Sequence, residues 1–323
     1  MSRPEKPLIV FLDRETLPDD ICVPAPGFDH ELKVYAATSA DQVAERIAGA
    51  HIVVTNKVPL RADVIARAPN LSFIAIAATG YDIADVEACR VAGIKVSNIR
   101  NYAANTVPEH TFALILALRR SLIPYRASVA SGRWIETNQF SYFDYPVHDL
   151  SGSVLGIIGD GVIGQAVATI GRAFGMTPLF SAYKGVEGMG PLYTPFEEVL
   201  RRSDVLTLHA PLMPSTRNMV GRAEFALMER RPLIINTARG GLVDEEALAE
   251  ALEAGQVAGA GFDVATVEPP PRAHVMMRLL ERENVILTPH VAWSSREAIQ
   301  SLANQLVENI EMFWAGTPRN LVT

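Results

Sequence analysis

Apolar and polar positions along the first hundred residues alternate in a regular rhythm. Short β-rich runs at residues 8–13, 32–35, 51–55, 73–78 and Lys95–Ser97 are separated by stretches of helical period such as 40–48 and 83–92. Strand, helix, strand in that order predicts βαβ units and a parallel sheet. From Asn105 the apolar positions Val107, Phe112, Leu114, Ile115 and Leu118 carry a helical pattern toward Val129, which predicts one long helix connecting two domains. The segment 134–150 then turns irregular and aromatic, with Trp134, Phe140, Tyr142, Phe143 and Tyr145 close together. Such a cluster reads either as a partner surface or as a packed loop. A second βαβ series follows at Val154–Ile158, Val205–Leu208, 233–237, 259–264 and Val285–Leu287, and residues 294–314 read as one amphipathic helix.

Composition bounds this picture without changing it. A chain of 323 residues, 49% hydrophobic and 20% charged, is long for a single core and reads as two α/β domains. A net charge of −7 argues against nucleic acid or an anionic membrane surface as partner. No run approaches the roughly 18 apolar residues of a membrane span, and the short run 8–12 behind a charged start is not a signal peptide. Cys22 and Cys89 supply neither a disulfide framework nor a zinc site, so no metal is expected and a cytoplasmic location fits.

Candidate chemistry begins at Gly159-Asp160-Gly161-Val162-Ile163-Gly164, between the run Val154–Ile158 and the amphipathic stretch 165–174. Strand, glycine loop and helix in that order suit a dinucleotide. The glycines let the backbone turn and approach a pyrophosphate, and the first N–H groups of the helix face the anion. About 150 residues precede the loop, enough for a separate domain. In open parallel sheets ligands sit beyond the carboxyl ends of the strands, and three polar residues stand there: Arg239 after 233–238, Glu268 shortly after Val264, and His290 after Pro289. Singly, each has a plainer reading, as a solvated charge, a cap ahead of Pro269-Pro270-Pro271, and a core histidine. Jointly, a cation, a carboxylate and an imidazole make a catalytic constellation if they converge.

Several of these segments together resemble one family, the D-isomer-specific 2-hydroxyacid dehydrogenases. The resemblance rests on Ala78-Thr79-Gly80-Tyr81-Asp82, Asn105-Thr106-Val107-Pro108-Glu109-His110, the glycine loop, Asn236-Thr237-Ala238-Arg239-Gly240-Gly241, Asp263-Val264 with Glu268-Pro269, and Thr288-Pro289-His290. Asn56-Lys57, Gly132-Arg133-Trp134, Asp144-Tyr145-Pro146 and His290-Val291-Ala292-Trp293 are most similar to the glycerate dehydrogenases, the hydroxypyruvate reductases. The resemblance implies two doubly wound parallel-sheet domains, a Rossmann cofactor domain (102–287) inserted in a flavodoxin-like substrate domain (1–101 and 288–323), with the active site in the cleft between them. It implies hydride transfer between NAD(H) or NADP(H) and C2 of a small 2-oxo or D-2-hydroxy acid, hydroxypyruvate or glyoxylate first, and a homodimer.

Roles follow from the resemblance and agree with the chemistry. His290 would be the proton donor or acceptor, Glu268 its orienter, and Arg239 the fork that holds the substrate carboxylate and polarises its carbonyl. The family anchors the same carboxylate on backbone N–H groups, which carries over to Thr79 and Gly80, with Lys57 as a side-chain contact. For the cofactor it assigns the pyrophosphate to Gly159, Gly161, Val162, Ile163 and Gly164, the nicotinamide to Thr106, Ala238, Asp263 and His290, and the adenosine side to His209 and Pro211. Two other readings stand beside this one: a dinucleotide-sensing corepressor, and a formate dehydrogenase, which carries glutamine where Glu268 stands.

Three positions depart from the family pattern, the first being Asn101 where the family commonly has glycine, a change that asparagine tolerates at positive φ. Asp160 places an acid in the variable slot of the loop, unhelpful beside a pyrophosphate unless it points to solvent. At the end of the second cofactor-domain strand Ala182 fills the slot of the acid that holds the adenosine ribose of NAD, and Lys184 could offer a charge to a 2′-phosphate. Use of both NAD(H) and NADP(H) is the expectation.

Overall fold

A computed structural model describes residues 4–323; the first three residues of the leader reading lie outside the described part. The chain forms two compact units, one built from the residues up to Tyr102 together with Ser295–Thr323, the other from Ala103–Ser294. The expected return to the first unit at 288 falls at Ser295. Thr288, His290, Val291 and Ala292 stay with the second unit because they are hydrogen-bonded to Phe262 and Asp263.

In the first unit the strands β1 (Leu8–Phe11), β2 (Glu31–Val34), β3 (Ile52–Thr55), β4 (Phe73–Ile76) and β5 (Lys95–Ser97) form a parallel sheet of order β2-β1-β3-β4-β5, the flavodoxin-like order. Every residue of β3 and β4 is buried, and all but Thr55 are apolar; such burial on both faces characterises parallel sheets covered by helices. Edge strand β2 is exposed throughout and carries Glu31 and Lys33, charges that discourage further pairing. The C-terminal helix Arg296–Trp314 matches its expected span. Its stripe Ile299, Leu302, Ala303, Leu306, Val307, Ile310 and Phe313 is buried, with Phe313 stacked on Phe73 at 4.2 Å.

In the second unit β6 (Val154–Ile158), β7 (Thr177–Ser181), β8 (Tyr193–Thr194), β9 (Val205–Leu208), β10 (Leu233–Asn236), β11 (Gly259–Phe262) and β12 (Val285–Leu287) form a parallel sheet of order β12-β11-β10-β9-β6-β7-β8. The order reverses between β6 and β9, the Rossmann switch point outside which a dinucleotide binds. Ile157, Val205, Ile235 and Leu155 fill one face of the core, each worth about 1.5–3 kcal/mol of burial.

The predicted connector helix is two helices, Thr106–Arg119 and Leu122–Ala130. Pro124 has no N–H to give the Arg120 carbonyl, so the chain restarts through Ser121 in the left-handed region at φ 49°. The first of the pair packs on the sheet of its own unit. Phe112 stacks on Phe174 at 5.5 Å, and Leu114 and Leu118 press so close to Gly261 that a Cβ there would lie 3.1–3.2 Å from them.

The aromatic segment divides between its two readings. Its tyrosines are packed: Tyr125 donates to the Tyr145 carbonyl at 2.9 Å, and Tyr142 to Ser128 Oγ at 3.0 Å. Its phenylalanines are not, with Phe140 at 95% and Phe143 at 87% exposure. Among the described residues no helix is long and apolar enough to cross a membrane.

Candidate active site

The glycine loop joins β6 to the helix Val162–Ala173, and its three glycines answer different demands. Gly159 sits at φ 106°, and a Cβ there would lie 2.6 Å from the His209 backbone. At Gly164 a Cβ would lie 2.0 Å from the Gly159 carbonyl oxygen. Both are fixed by the fold itself. Gly161 caps the helix at an ordinary φ of −67°, and a Cβ on it would meet nothing within 4 Å. The fold does not require that glycine, so the loop is kept bare toward open space. Facing that space are first-turn N–H groups with no intrahelical acceptor and the positive end of a 12-residue helix. These residues fit a pyrophosphate.

On the adenosine side, His209 follows β9, receives Gly159 against its backbone and hydrogen-bonds Thr207 Oγ1 through Nε2 at 2.9 Å. Although part of its surface reaches solvent, desolvation pushes its imidazole down to about 3, so the ring is neutral at working pH. Pro211 is exposed, its carbonyl accepting from Thr216. Ala182 directly follows β7 with a buried side chain and borders a cavity of about 460 Å³ with Tyr183, Tyr193, Phe196, Glu187 and Glu197. Lys184 is not among that cavity's lining residues. Its ammonium pairs with Glu224 at 2.8 Å and donates to the Met219 carbonyl at 3.2 Å, which removes the charge expected to meet a 2′-phosphate. Asp160 does not point freely to solvent: it accepts a short hydrogen bond from the Tyr193 hydroxyl, which holds that phenol above its ordinary range.

Three adjacent strand ends, β10, β11 and β12, position the polar residues. At the end of β10 the fully buried Asn236 builds the turn with its own side chain. Its Oδ1 accepts from Ala238 N at 3.0 Å, and its Nδ2 donates to the Arg239 carbonyl at 2.8 Å. Arg239 is thereby carried to the surface, its guanidinium donating to the Ala238 carbonyl at 2.7 Å. After β11 comes Asp263, only 1% exposed. Its carboxylate accepts from Thr288 Oγ1 (2.5 Å), Val291 N (2.9 Å) and Ala292 N (2.8 Å), while its carbonyl accepts from His290 N (2.9 Å). Asp263 therefore fastens the loop that carries His290, and Thr106, expected near the nicotinamide, fastens it again by donating to the Ala292 carbonyl at 3.1 Å.

That fastening sustains a strained conformation. His290 is a non-glycine residue at φ 55°, a departure that costs about 1–2 kcal/mol and needs its surroundings to impose it. The result is contact with Glu268: His290 Nδ1 lies 2.6 Å from Glu268 Oε2, while Glu268 Oε1 accepts from Ala265 N at 3.0 Å. With Nδ1–H given to the carboxylate, Nε2 is the nitrogen available for proton transfer.

The structure thus joins Glu268 and His290 directly and sets Arg239 at a neighbouring strand end of the same unit. Lys57, Thr79 and Gly80 belong to the first unit, at the ends of β3 and β4. There Lys57 N donates to Asp13 Oδ2 at 2.6 Å, and Thr79 Oγ1 donates to the Ile99 carbonyl at 2.8 Å. Sequence reasoning missed Asp13, a buried carboxylate that accepts from the backbone of Asn56, Lys57 and Val58 and so shapes the Lys57 turn. It also missed His110, whose Nε2 lies 3.0 Å from Thr288 Oγ1 beside Asp263, although His110 lay within a quoted motif. Among the described residues no group of three His, Cys, Asp or Glu side chains could hold a metal.

A parallel sheet with a bare glycine loop at its switch point and an imidazole–carboxylate pair three and four strands away defines a dinucleotide-dependent oxidoreductase. Comparison with known proteins narrows the class. Residues 112–292 match the D-isomer specific 2-hydroxyacid dehydrogenase, NAD binding domain. The chain is 49% identical over 315 residues to a glycerate dehydrogenase of Methylorubrum extorquens, covering 97% of this chain and 98% of that one. It is 38% identical to a hydroxypyruvate reductase of Blautia hydrogenotrophica, covering 88% of each. The TT0316 protein of Thermus thermophilus shares the fold with a TM-score of 0.84 at 31% identity, over 98% of this chain and all of that one. The chain belongs to the D-isomer specific 2-hydroxyacid dehydrogenases, NAD-dependent enzymes.

Proposed function

We propose that this dehydrogenase reduces hydroxypyruvate, and glyoxylate as a smaller analogue, to the D-hydroxy acid. The observation that carries the reading is the 2.6 Å contact between His290 Nδ1 and Glu268 Oε2. Held at the glycine loop, a dihydronicotinamide cofactor would supply the hydride for C2 of the 2-oxo acid. As C2 is reduced, its oxygen gains a lone pair and takes the proton from His290 Nε2, so that 2-oxo acid, reduced cofactor and one proton give hydroxy acid and oxidised cofactor. Glu268 keeps Nδ1 protonated and the imidazolium oriented for that transfer. Arg239 binds the substrate carboxylate and polarises the carbonyl, and Thr79, Gly80 and Lys57 supply its remaining anchors. Thr106, Ala238 and Asp263 would border the nicotinamide.

A formate dehydrogenase moves hydride without a proton on the substrate oxygen, so the Glu268–His290 pair favours a hydroxy acid over that reading. A dinucleotide sensor remains the outcome of the test: initial rates over a panel of 2-oxo acids with NADH and with NADPH, and chiral analysis of the product. Turnover of hydroxypyruvate to D-glycerate is expected. Tight cofactor binding with no turnover on any member sinks the reading.

The exposed apolar side chains Leu122, Ile123, Trp134, Ile135, Phe140 and Phe143 support a homodimer, whose partner copy would cover them. Light scattering on a Phe140→Ser, Phe143→Ser double variant tests it. The wild type should run at twice the chain mass and the variant at once; equal masses contradict the assignment.

A further inference from the structure

Glu245 is nearly fully buried, at 5% exposure, and the roles assigned above do not use it. It opens the helix Glu245–Glu253, five residues beyond Gly240, and both oxygens of its carboxylate accept from one residue of a different loop. Oε1 accepts the backbone N–H of Thr266 at 2.8 Å, and Oε2 accepts the Thr266 hydroxyl at 2.6 Å. His274 closes the group from the far end of the same loop, its Nε2 3.1 Å from Thr266 Oγ1 and 3.4 Å from Glu245 Oε2.

The peptide between Ala265 and Thr266 is where the site's parts meet. Beneath it lies Gly240, next in chain to Arg239, packed so closely that a Cβ would stand 2.1 Å from the Ala265 carbonyl carbon and 2.4 Å from Thr266 N. One residue back along the loop, Ala265 N donates to Glu268 Oε1, and the other oxygen of Glu268 meets His290. A displacement of this peptide therefore reaches Arg239 through Gly240 and His290 through Glu268.

We propose that Glu245 is a positioning residue for the reaction: by clamping Thr266 it sets the Ala265–Thr266 peptide, and thereby the orientation of Glu268 against His290. It touches neither substrate nor cofactor. The inference rests on the role proposed for His290 and deepens it. A carboxylate suits the task because it accepts two bonds from Thr266 at once, and a carboxamide presents one acceptor oxygen and one NH₂.

The test is a double-mutant cycle between Glu245→Gln and Glu268→Gln. Acting alone, Glu245→Gln should lower kcat about tenfold or more with KM and NADH affinity little changed, and should shift the limb of the kcat–pH profile governed by His290 in the same direction as Glu268→Gln. In the Glu268→Gln background it should cost almost nothing further, because the residue it acts through is already altered. A merely structural role would multiply the two losses and leave the limb in place, and that result overturns the proposal. If Glu245→Gln does not fold, Thr266→Val, which keeps the backbone bond and loses the hydroxyl, enters the same cycle with the same expectations. The titration of the His290 imidazole, followed by NMR in wild type and variant, reads the effect without turnover. A moved titration supports the clamp even where the substrate reading fails, and an unmoved one refutes the clamp whatever the substrate.

Discussion

Replacing Gly161 with alanine separates what the glycine loop does for the fold from what it does for the ligand. On the fold side the change is nearly free. The added Cβ meets nothing within 4 Å, and the backbone at φ −67° suits alanine. Alanine is a poorer helix cap than glycine by about 0.5–1 kcal/mol, and restricting the unfolded chain returns about 0.4–1 kcal/mol. Net stability should stay within about 1 kcal/mol, a few degrees in Tm at most. On the ligand side the methyl enters the space the pyrophosphate needs. Losing one charge-assisted N–H contact costs about 1.5–3 kcal/mol, which raises the Kd for NADH by roughly 10- to 150-fold. Gly164→Ala is the opposite case, its Cβ 2.0 Å from the Gly159 carbonyl oxygen, and overpacking of about 1–3 kcal/mol or more should lower Tm. Calorimetric titration with NADH, beside thermal melts of both variants, reads the contrast. An NADH Kd in Gly161→Ala within threefold of wild type would refute the placement of the pyrophosphate.

Cofactor choice should favour NADH over NADPH, because the cavity beside Ala182 is lined by Glu187 and Glu197 with no lysine or arginine. Lys184→Ala should alter kcat/KM for the two cofactors equally, since Glu224 already holds that charge; a selective loss with NADPH would return Lys184 to the phosphate. His209 makes the fold acid-sensitive. Its pKa is about 3 folded against 6.5 unfolded, so the unfolded chain takes the proton first and stability falls as pH drops from 6.5 toward 3. The loss is at most about 3 kcal/mol at pH 4. His209→Gln should flatten that fall in thermal melts between pH 7 and 4, and a constant offset from wild type would contradict it.

The parts legible in the sequence were those written as local pattern. β3, β4, β9 and β10 are mostly apolar runs with every residue buried, Thr55, Thr207 and Asn236 being their polar members, and the glycine loop, Arg239, Glu268 and His290 stand beyond strand ends. What escaped depends on contacts distant along the chain. Thr266 lies 21 residues from Glu245, and Asp13 lies 43 to 45 from the amides it gathers, so no spacing rule links them. Lys184 looked available because nothing local announces Glu224, forty residues on. The helix break was readable after all, since Pro124 forbids the bond to Arg120 that a continuous helix would need.

In the proposed reaction His290, held by Glu268, passes the proton that accompanies hydride transfer to a 2-oxo acid. The most direct measurement is single-turnover reduction of hydroxypyruvate by NADH-loaded wild type and His290→Gln, with NADH affinity measured on the same preparations. Unchanged affinity is expected, with a rate lowered by at least about 10²–10⁴. A His290→Gln enzyme that binds NADH normally and reduces hydroxypyruvate at most of the wild-type rate would contradict it.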